Sequence, residues 1–356
     1  LGWFFFYIAV ALKSCAKKSC FATATNFQLY SNKAHKIYKN RMKKRLAVWV
    51  FFIMLSLALS LEPSFAPGLA SGLMAQPGLG AASIAKGGVS LGEGDPLWAL
   101  WNDPSGLIGA RIGSVGELAK TTQAWNGLGF MVHRPFGLAE LDQRVLSAVW
   151  SPRHHSDSVR SQAWGVGLYD SGDELFRESK LRLGWAMATA DWAVGVASSV
   201  NHARFGGGYG RLLAVQLDAS ARMRLSPVMQ LLIGLENAGR ARWRSVDQLH
   251  AQSPLPSRMR VGLLWRDPRL RLQHWLQLQW EPSHLPDLRY GVDWEAFSEQ
   301  STQLNLRAGL TTNTQLSSFY PSIGVGLSHR RLRLNMAAHP HPQLGWSPVI
   351  DLAFDR

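Results

Sequence analysis

Thiols are nearly missing from this 356-residue chain: Cys15 and Cys20 are its only two cysteines, so nothing beyond residue 20 can enter a disulfide. That excludes the small stapled domains of secreted proteins. The C-x4-C spacing has no second cysteine pair or neighbouring histidine, which argues against a metal site, and the pairs His154-His155 and His339/His341 read as loop histidines without companion ligands. A phosphate loop is missing too, since Gly206-Gly207-Gly208 is followed by neither lysine nor Ser/Thr. No apolar run reaches the ~20 residues of a spanning helix, and helical periodicity is scarce throughout. No catalytic constellation emerges, so the chain is expected not to be an enzyme and to need no cofactor or metal.

Acidic residues are absent from positions 1–41, which carry six lysines and one arginine. The whole chain holds 38 Lys+Arg against 24 Asp+Glu, a formal charge of +14 that by itself suggests a polyanion partner. Ten of the basic residues precede position 46, however, and residues 76–356 hold 28 basic and 23 acidic side chains. The excess is thus mostly N-terminal, and nucleic acid is not expected as a partner. From Met42 the sequence runs Met-Lys-Lys-Arg, then the apolar stretch Leu46 to Leu61, then small residues ending at Ala66 and again at Ala75. This is the anatomy of a secretory signal peptide over 42–75, cleaved near Ala66 or Ala75. Residues 1–41 favour lysine, whereas after Arg45 arginine dominates and only Lys86, Lys120 and Lys180 remain. They are expected to be a mis-assigned upstream extension.

From about Ala124 onward the dominant period is two. Leu213, Val215, Leu217, Ala219, Ala221 and Met223 alternate with Gln216, Asp218, Ser220, Arg222 and Arg224. Leu288, Tyr290, Val292 and Trp294 alternate with Arg289 and Asp293, Leu304 and Leu306 with Asn305 and Arg307, and Leu332, Leu334 and Met336 with Arg331, Arg333 and Asn335. In Leu270 to Trp280, leucines oppose Arg271 and glutamines, with His274 and Trp275 as the exceptions. Such runs are β-strands, about 14 of them, separated by turns such as Arg266-Asp267-Pro268 and by longer connections at 201–210 and 242–257. Alternation does not say which face is wet. Export, strands approaching the ~9–11 residues of a tilted crossing, and aromatics near strand ends (Trp265, Trp275, Trp280, Trp294, Phe354) favour a membrane barrel, apolar outside. The expected fold is therefore all-β: a transmembrane antiparallel β-barrel over 121–356 with a short N-terminal plug over 76–120. Arg222, Arg224, Arg271, Arg289, Arg307, Arg331 and Arg333 are the lumen-facing candidates.

The segment Ala81 to Leu107 contains Gly87-Gly88, Asp95, Ala99-Leu100 and Pro104-Ser105-Gly106-Leu107. It resembles the N-terminal segment of the PorV/PorQ group of outer-membrane proteins, relatives of the FadL-type long-chain fatty-acid transporters. Those proteins carry Asn-Pro-Ala-Gly-Leu or a close variant; here Asn102-Asp103 departs from it, by replacement of the Asn or by one inserted residue. Leu332 to Phe354 resembles the group's last hairpin, with His339 to Gly345 as its turn. The resemblance implies that Gly87, Gly88, Asp95, Asn102, Asp103, Pro104 and Gly106 belong to a hatch within the barrel. It further implies an outer membrane of the Gram-negative type reached through the general secretory pathway, and passive uptake of a hydrophobic or amphipathic small molecule. The alternative is a PorV-like scaffold without transport, whose partners are secretion-system proteins.

Overall fold

Gln216, Asp218, Ser220 and Arg222 are buried, whereas Val215 and Leu217 between and beside them are 61% and 48% exposed. This inversion of a soluble protein recurs around the whole molecule and defines its architecture. The computed structural model describes residues 78–109 and 126–355, apart from the short segments 153–160, 208–209, 247–252, 283–284, 300, 314–317 and 342–343. The expected upstream extension, the signal peptide, the end of the hatch segment and His154-His155 lie outside the described residues.

Fifteen strands follow one another: β1 (Asn126–His133), β2 (Gln143–Trp150), β3 (Ser161–Gly172), β4 (Phe176–Ala188), β5 (Trp192–Phe205), β6 (Gly210–Ser226), β7 (Met229–Glu236), β8 (Arg244–Ser245), β9 (Arg258–Asp267), β10 (Leu272–Trp280), β11 (Asp287–Glu299), β12 (Thr302–Asn313), β13 (Ser318–His329), β14 (Leu332–His341) and β15 (Gly345–Asp355). All pairings are antiparallel. The first and last strands pair from Gly127↔Asp355 to His133↔Val349, and β5 pairs with β6, so the sheet closes on itself. Fourteen strands form the closed barrel; β8 is a two-residue addition to the edge of β6. Closure joins the first and last strands, so the backbone groups between neighbouring strands are paired.

Outward rows hold Leu128, Phe130, Trp164, Leu183, Leu276, Leu288, Ile323, Leu352 and their neighbours, all exposed. Inward rows hold glycine, serine, asparagine, glutamine, aspartate and arginine. No helix among the described residues is long and apolar enough to cross a membrane. The rim at which β1 begins and β15 ends, here the terminal rim, carries short connections built by polar side chains. In the β9–β10 turn, for example, the Asp267 carboxylate accepts from the N–H groups of Arg269 (2.9 Å) and Leu270 (3.3 Å).

Two expected connections are shorter than the sequence suggested. The strands β14 and β15 run to His341 and from Gly345, so His339 lies in a strand and not in a turn; its ring lies 5.8 Å from that of His133. Residues 201–205 likewise extend β5, because they pair fully with β6 as far as Phe205↔Gly210. The longest connection, 237–257, folds onto β6. Asn237, at φ 52°, starts it: its N–H donates to Asp218 (2.7 Å), its side chain accepts from the Ala241 N–H (2.7 Å) and donates to the Leu255 carbonyl (3.0 Å). Trp243 and Leu255 of this connection pack against the inward-facing Ala203 and Ala214.

Candidate functional site

Residues 78–109 occupy the lumen as a plug. It contains α1 (Ala81–Ala85), α2 (Pro96–Asn102) and a 3-10 turn (Pro104–Ile108), every residue of which is buried. Helices this short are marginal in water, so their stability comes from capping and packing. Asp95 caps α2, accepting from the Leu97 N–H (3.0 Å), with Pro96 at the first helical position. Asn102 closes the plug on itself. Its side chain accepts from the Leu79 N–H (2.7 Å) and donates to the Leu79 carbonyl (2.6 Å), so that it pairs with the backbone near the start of the described plug.

One side of the plug is held apolar. Leu97, Trp98, Leu100 and Leu107 pack with Met131, Val145 and Val149 on the inner wall of β1 and β2. The wall makes room by being glycine where the plug comes closest. A Cβ at Gly195 would strike the Pro104–Ser105 backbone, one at Gly309 the Lys86–Gly87 backbone, and one at Gly291 the backbone of Lys86. Gly87, at φ 74°, is itself wedged against the Leu310 backbone, 2.8 Å from where a Cβ would sit.

The other contacts are polar and come from almost every strand. Ser147 of β2 accepts from the Trp101 indole (2.7 Å), Arg182 of β4 donates to the Leu100 carbonyl (2.7 Å), and Ser220 of β6 accepts from the Ser105 N–H (2.8 Å). Across the lumen, Gln277 of β10 accepts from the Ser90 (3.0 Å) and Leu91 (2.9 Å) N–H groups, while Ser322 of β13 and Asp351 of β15 accept from the Gly87 (2.8 Å) and Ala81 (2.6 Å) N–H groups. Arg182 is itself held by Asp218 at 2.5 Å.

Arg222 is the most connected of these anchors. Its guanidinium donates to the Asp103 carboxylate at 2.8 Å, to the Ser105 hydroxyl at 3.2 Å and to the Glu93 carbonyl at 2.8 Å. Asp103 also accepts from the Gly92 N–H (2.9 Å) and the Ser105 hydroxyl (2.5 Å). Burial alone would raise this carboxyl, but the Arg222 charge and the hydrogen bonds from Ser105 and Gly92 hold it below the ordinary carboxylate value. Gly106 belongs to the same cluster, because a Cβ there would collide with the Arg222 guanidinium.

The fold has solved counterparts. The CymD monoaromatic hydrocarbon channel superposes with a TM-score of 0.51 at 11% identity, over 78% of this chain and 97% of that one. The Ralstonia pickettii toluene transporter TbuX gives a TM-score of 0.50 at 10% identity, over 78% and 97%. At such identities the likeness is one of fold. No protein-family model and no curated protein matches the sequence.

The seven candidate arginines fall into three groups. Arg222, Arg289 and Arg333 reach the plug: Arg289 donates to the Gly88 carbonyl (2.6 Å) and Arg333 pairs with Asp95 (2.7 Å) and Asp355 (2.8 Å). Arg307 stays within the wall, bonded to Asp293 (2.7 Å) and Asn335 (2.7 Å). Arg224 pairs with Asp191 at the terminal rim (2.6 Å), while Arg271 and Arg331 lie exposed in the β9–β10 and β13–β14 turns, where the alternation of the sequence runs past the ends of the strands. Trp275 points inward, not into an outer girdle: it is 3% exposed, its indole lies beneath the Lys86 ammonium (4.1 Å to the ring) and donates to the Gly92 carbonyl (3.3 Å).

Below the plug, toward the terminal rim, a polar cavity of about 370 Å³ is bounded by Glu93, Asp95, Arg266, Asp293 and Arg307. Its roof is the stretch Glu93-Gly94-Asp95, where Gly94 is the one exposed residue of the described plug and has no atom near its Cβ position. Above the plug, Arg258 bonds Glu281 (2.9 Å) and Glu236 (3.4 Å), and Arg260 donates to the Ser90 hydroxyl (2.6 Å). The sequence Gly88-Val89-Ser90-Leu91-Gly92 spells the motif of hydrolase nucleophiles. Here, however, Ser90 lies in an irregular segment with its hydroxyl engaged by Arg260 and Gln277 rather than by a histidine base.

Proposed function

We propose that this chain is an outer-membrane channel for the passive uptake of hydrophobic or amphipathic small molecules, with 76–120 as its hatch and 121–356 as its barrel. The observation that carries this reading is the plug itself: a segment seated in the lumen through scattered hydrogen bonds and ion pairs, with a polar cavity directly beneath Glu93–Asp95. The outward leucine and tryptophan rows match a lipid-facing band, and the inward polar rows match a wet interior. A fold shared with a hydrocarbon channel and a toluene transporter supports the same class of cargo. Charged side chains on both sides of the plug favour an amphipathic solute over a plain hydrocarbon. The signal-like stretch 42–75 supplies export through the general secretory pathway, and the hatch residues Gly87, Gly88, Asp95, Asn102, Asp103, Pro104 and Gly106 supply the FadL-type likeness, of which the PorV/PorQ assignment is the finer version.

The test is to lock the hatch. The Ser105 N–H and the Ser220 hydroxyl lie 2.8 Å apart, so cysteines at both positions should cross-link plug to wall in a region with no other thiol. In proteoliposomes loaded with a fluorescent fatty-acid sensor, oxidation should stop uptake and reduction should restore it. Equal uptake in both states would remove the hatch from the pathway. No uptake in either state, together with co-purifying secretion proteins, would replace the channel with a scaffold.

A further inference from the structure

Five cations line the polar cavity below the plug, and four of them already have a carboxylate. Lys86 faces Glu93 at 3.6 Å, Arg222 holds Asp103 at 2.8 Å, Arg307 holds Asp293 at 2.7 Å and Arg333 holds Asp95 at 2.7 Å. Arg266 is the fifth. It stands in the inward row of β9, and its guanidinium has neither an ion pair nor a hydrogen bond among the described residues. Its Nε is buried without an acceptor, while the residue as a whole is only partly buried, so the forked end is open to the cavity. Its partner across the strand pair is Gln273 of β10, which lines the same cavity and whose amide is likewise without a hydrogen bond among the described residues.

The charges of the lining select the sign of what it can hold. Three carboxylates, Glu93, Asp95 and Asp293, stand against the five cations, and Asp103 behind Arg222 meets one of the two left over. The remaining positive charge is that of Arg266, inside a narrow lumen where a charge reaches further than on an open surface. No group of His, Cys, Asp and Glu among the described residues could hold a metal ion, so the cavity is not built for a cation. The shape of the ligand follows from the chemistry of the donors. A guanidinium fork matches two oxygens of a carboxylate or phosphate, and an amide N–H adds a third donor. Ala82 and Trp275 supply the only apolar side chains of the lining, so an acyl chain finds no wall there. At about 370 Å³ the cavity suits a small polar group.

We propose that this cavity is a binding site for a small oxyanion group, a carboxylate or a phosphate, held on the Arg266 guanidinium with the Gln273 amide beside it. The site needs only the closed barrel and its plug. That the group arrives as the head of a permeating solute rests on the uptake reading above; the same chemistry also accepts a free anion from the aqueous side of the terminal rim.

The experiment is calorimetric titration of the full chain in mild detergent with inorganic phosphate, decanoate and decanol as separate probes. Phosphate bound at one site identifies a free anion, and decanoate bound without phosphate and at least tenfold more tightly than decanol identifies the head of an amphiphile. In either case Arg266→Gln, which breaks no ion pair, should weaken binding at least tenfold, and Arg266→Lys should recover part of that loss. Arg271→Gln, which removes the same charge from the exposed β9–β10 turn, should leave binding within twofold of the parent. The mobility shift between unheated and boiled samples should persist in all three variants, showing a folded barrel. The site is overturned by a parent that binds neither anion, by decanoate bound no better than decanol in the absence of phosphate binding, by equal binding in parent and R266Q, or by equal losses in R266Q and R271Q. Uptake in proteoliposomes separates this site from the channel: Arg266-dependent anion binding in a protein that takes up no solute leaves the site and removes the channel, and uptake without such binding does the reverse.

Discussion

Replacing Arg222 with methionine tests whether the plug is held by charge. Methionine keeps much of the length of the side chain but removes every donor to Asp103, Ser105 and the Glu93 carbonyl. The Asp103 carboxylate would then be buried with no cation beside it, held by the Gly92 N–H and the Ser105 and Ser220 hydroxyls. Breaking a buried pair by removing one partner costs about 3–5 kcal/mol, which at 1.4 kcal/mol per decade raises the population of released plug by roughly 150- to 4,000-fold. The barrel keeps its strand ladders, so the loss should appear locally. Hydrogen exchange of residues 78–109 in R222M should accelerate by two orders of magnitude or more, while the outer strands and the heat-modified mobility stay as in the parent. The double variant R222M/D103N removes both charges and should recover at least half of the loss. Acidity supplies a second check with opposite signs. In the parent, the lowered Asp103 carboxyl stabilises the seated plug at all pH values above about 3.8, and this is lost only as pH falls through its still lower folded value. In R222M burial is no longer opposed by a cation, the carboxyl rises, and acidification should reseat the plug. Plug exchange in R222M within twofold of the parent, or a double variant no better than R222M, would refute this account.

Three further perturbations read other parts of the same assembly. Asn102→Leu strands the Leu79 N–H and carbonyl inside the lumen; at about 1–3 kcal/mol for each unsatisfied group, the entry of the plug should become cleavable in limited proteolysis. Gly195→Ala pushes a methyl group into the Pro104–Ser105 backbone and should cost about 1–3 kcal/mol, whereas Gly94→Ala, in open space, should shift plug exchange by less than about 0.5 kcal/mol. Val215→Arg puts a charge on the outer face and should cost about 2–4 kcal/mol in urea unfolding from lipid vesicles if that position faces the centre of a bilayer; an effect below 0.5 kcal/mol there would contradict a lipid-facing belt.

The strands, and which of their residues share a face, were legible because period-two alternation is a local signal. His274 and Trp275 illustrate how literal it is. Both obey strict alternation by direction, His274 outward and Trp275 inward, and only their chemistry is inverted, because one meets an aromatic stack and the other the Lys86 ammonium and the Gly92 carbonyl. Height along the barrel axis was not legible. Arg222 and Arg224 are two residues apart on one face, yet the first is level with the plug and the second with the rim. Which arginine meets which carboxylate depends on strand register and tilt, set by pairings far apart in sequence. Arg271 and Arg331 carry the alternation past the strand ends into exposed turns at the rim, where Arg271 pairs across to Glu295 (3.6 Å) rather than with the plug. Arg182 and Arg260, both wall anchors, sit in alternating runs and could have been found by the rule that found Arg289. Gln277 lay on a recognised polar face, but nothing in its spacing announces that its one carbonyl oxygen gathers two plug N–H groups.

The pairing of β1 with β15 constrains how the plug can reach its seat. The plug is the earliest of the described segments in the chain, yet the Ala81 N–H rests on Asp351 of the last strand. Its seat is therefore incomplete until translation and folding reach the far end. Once Gly127↔Asp355 through His133↔Val349 have zipped, the ring around the plug has no seam left. A plug that is not seated when that seam closes has to reach the lumen through a rim or by reopening of the terminal strands. Variants that slow the seating of residues 78–109 should accordingly accumulate as intact but hollow barrels.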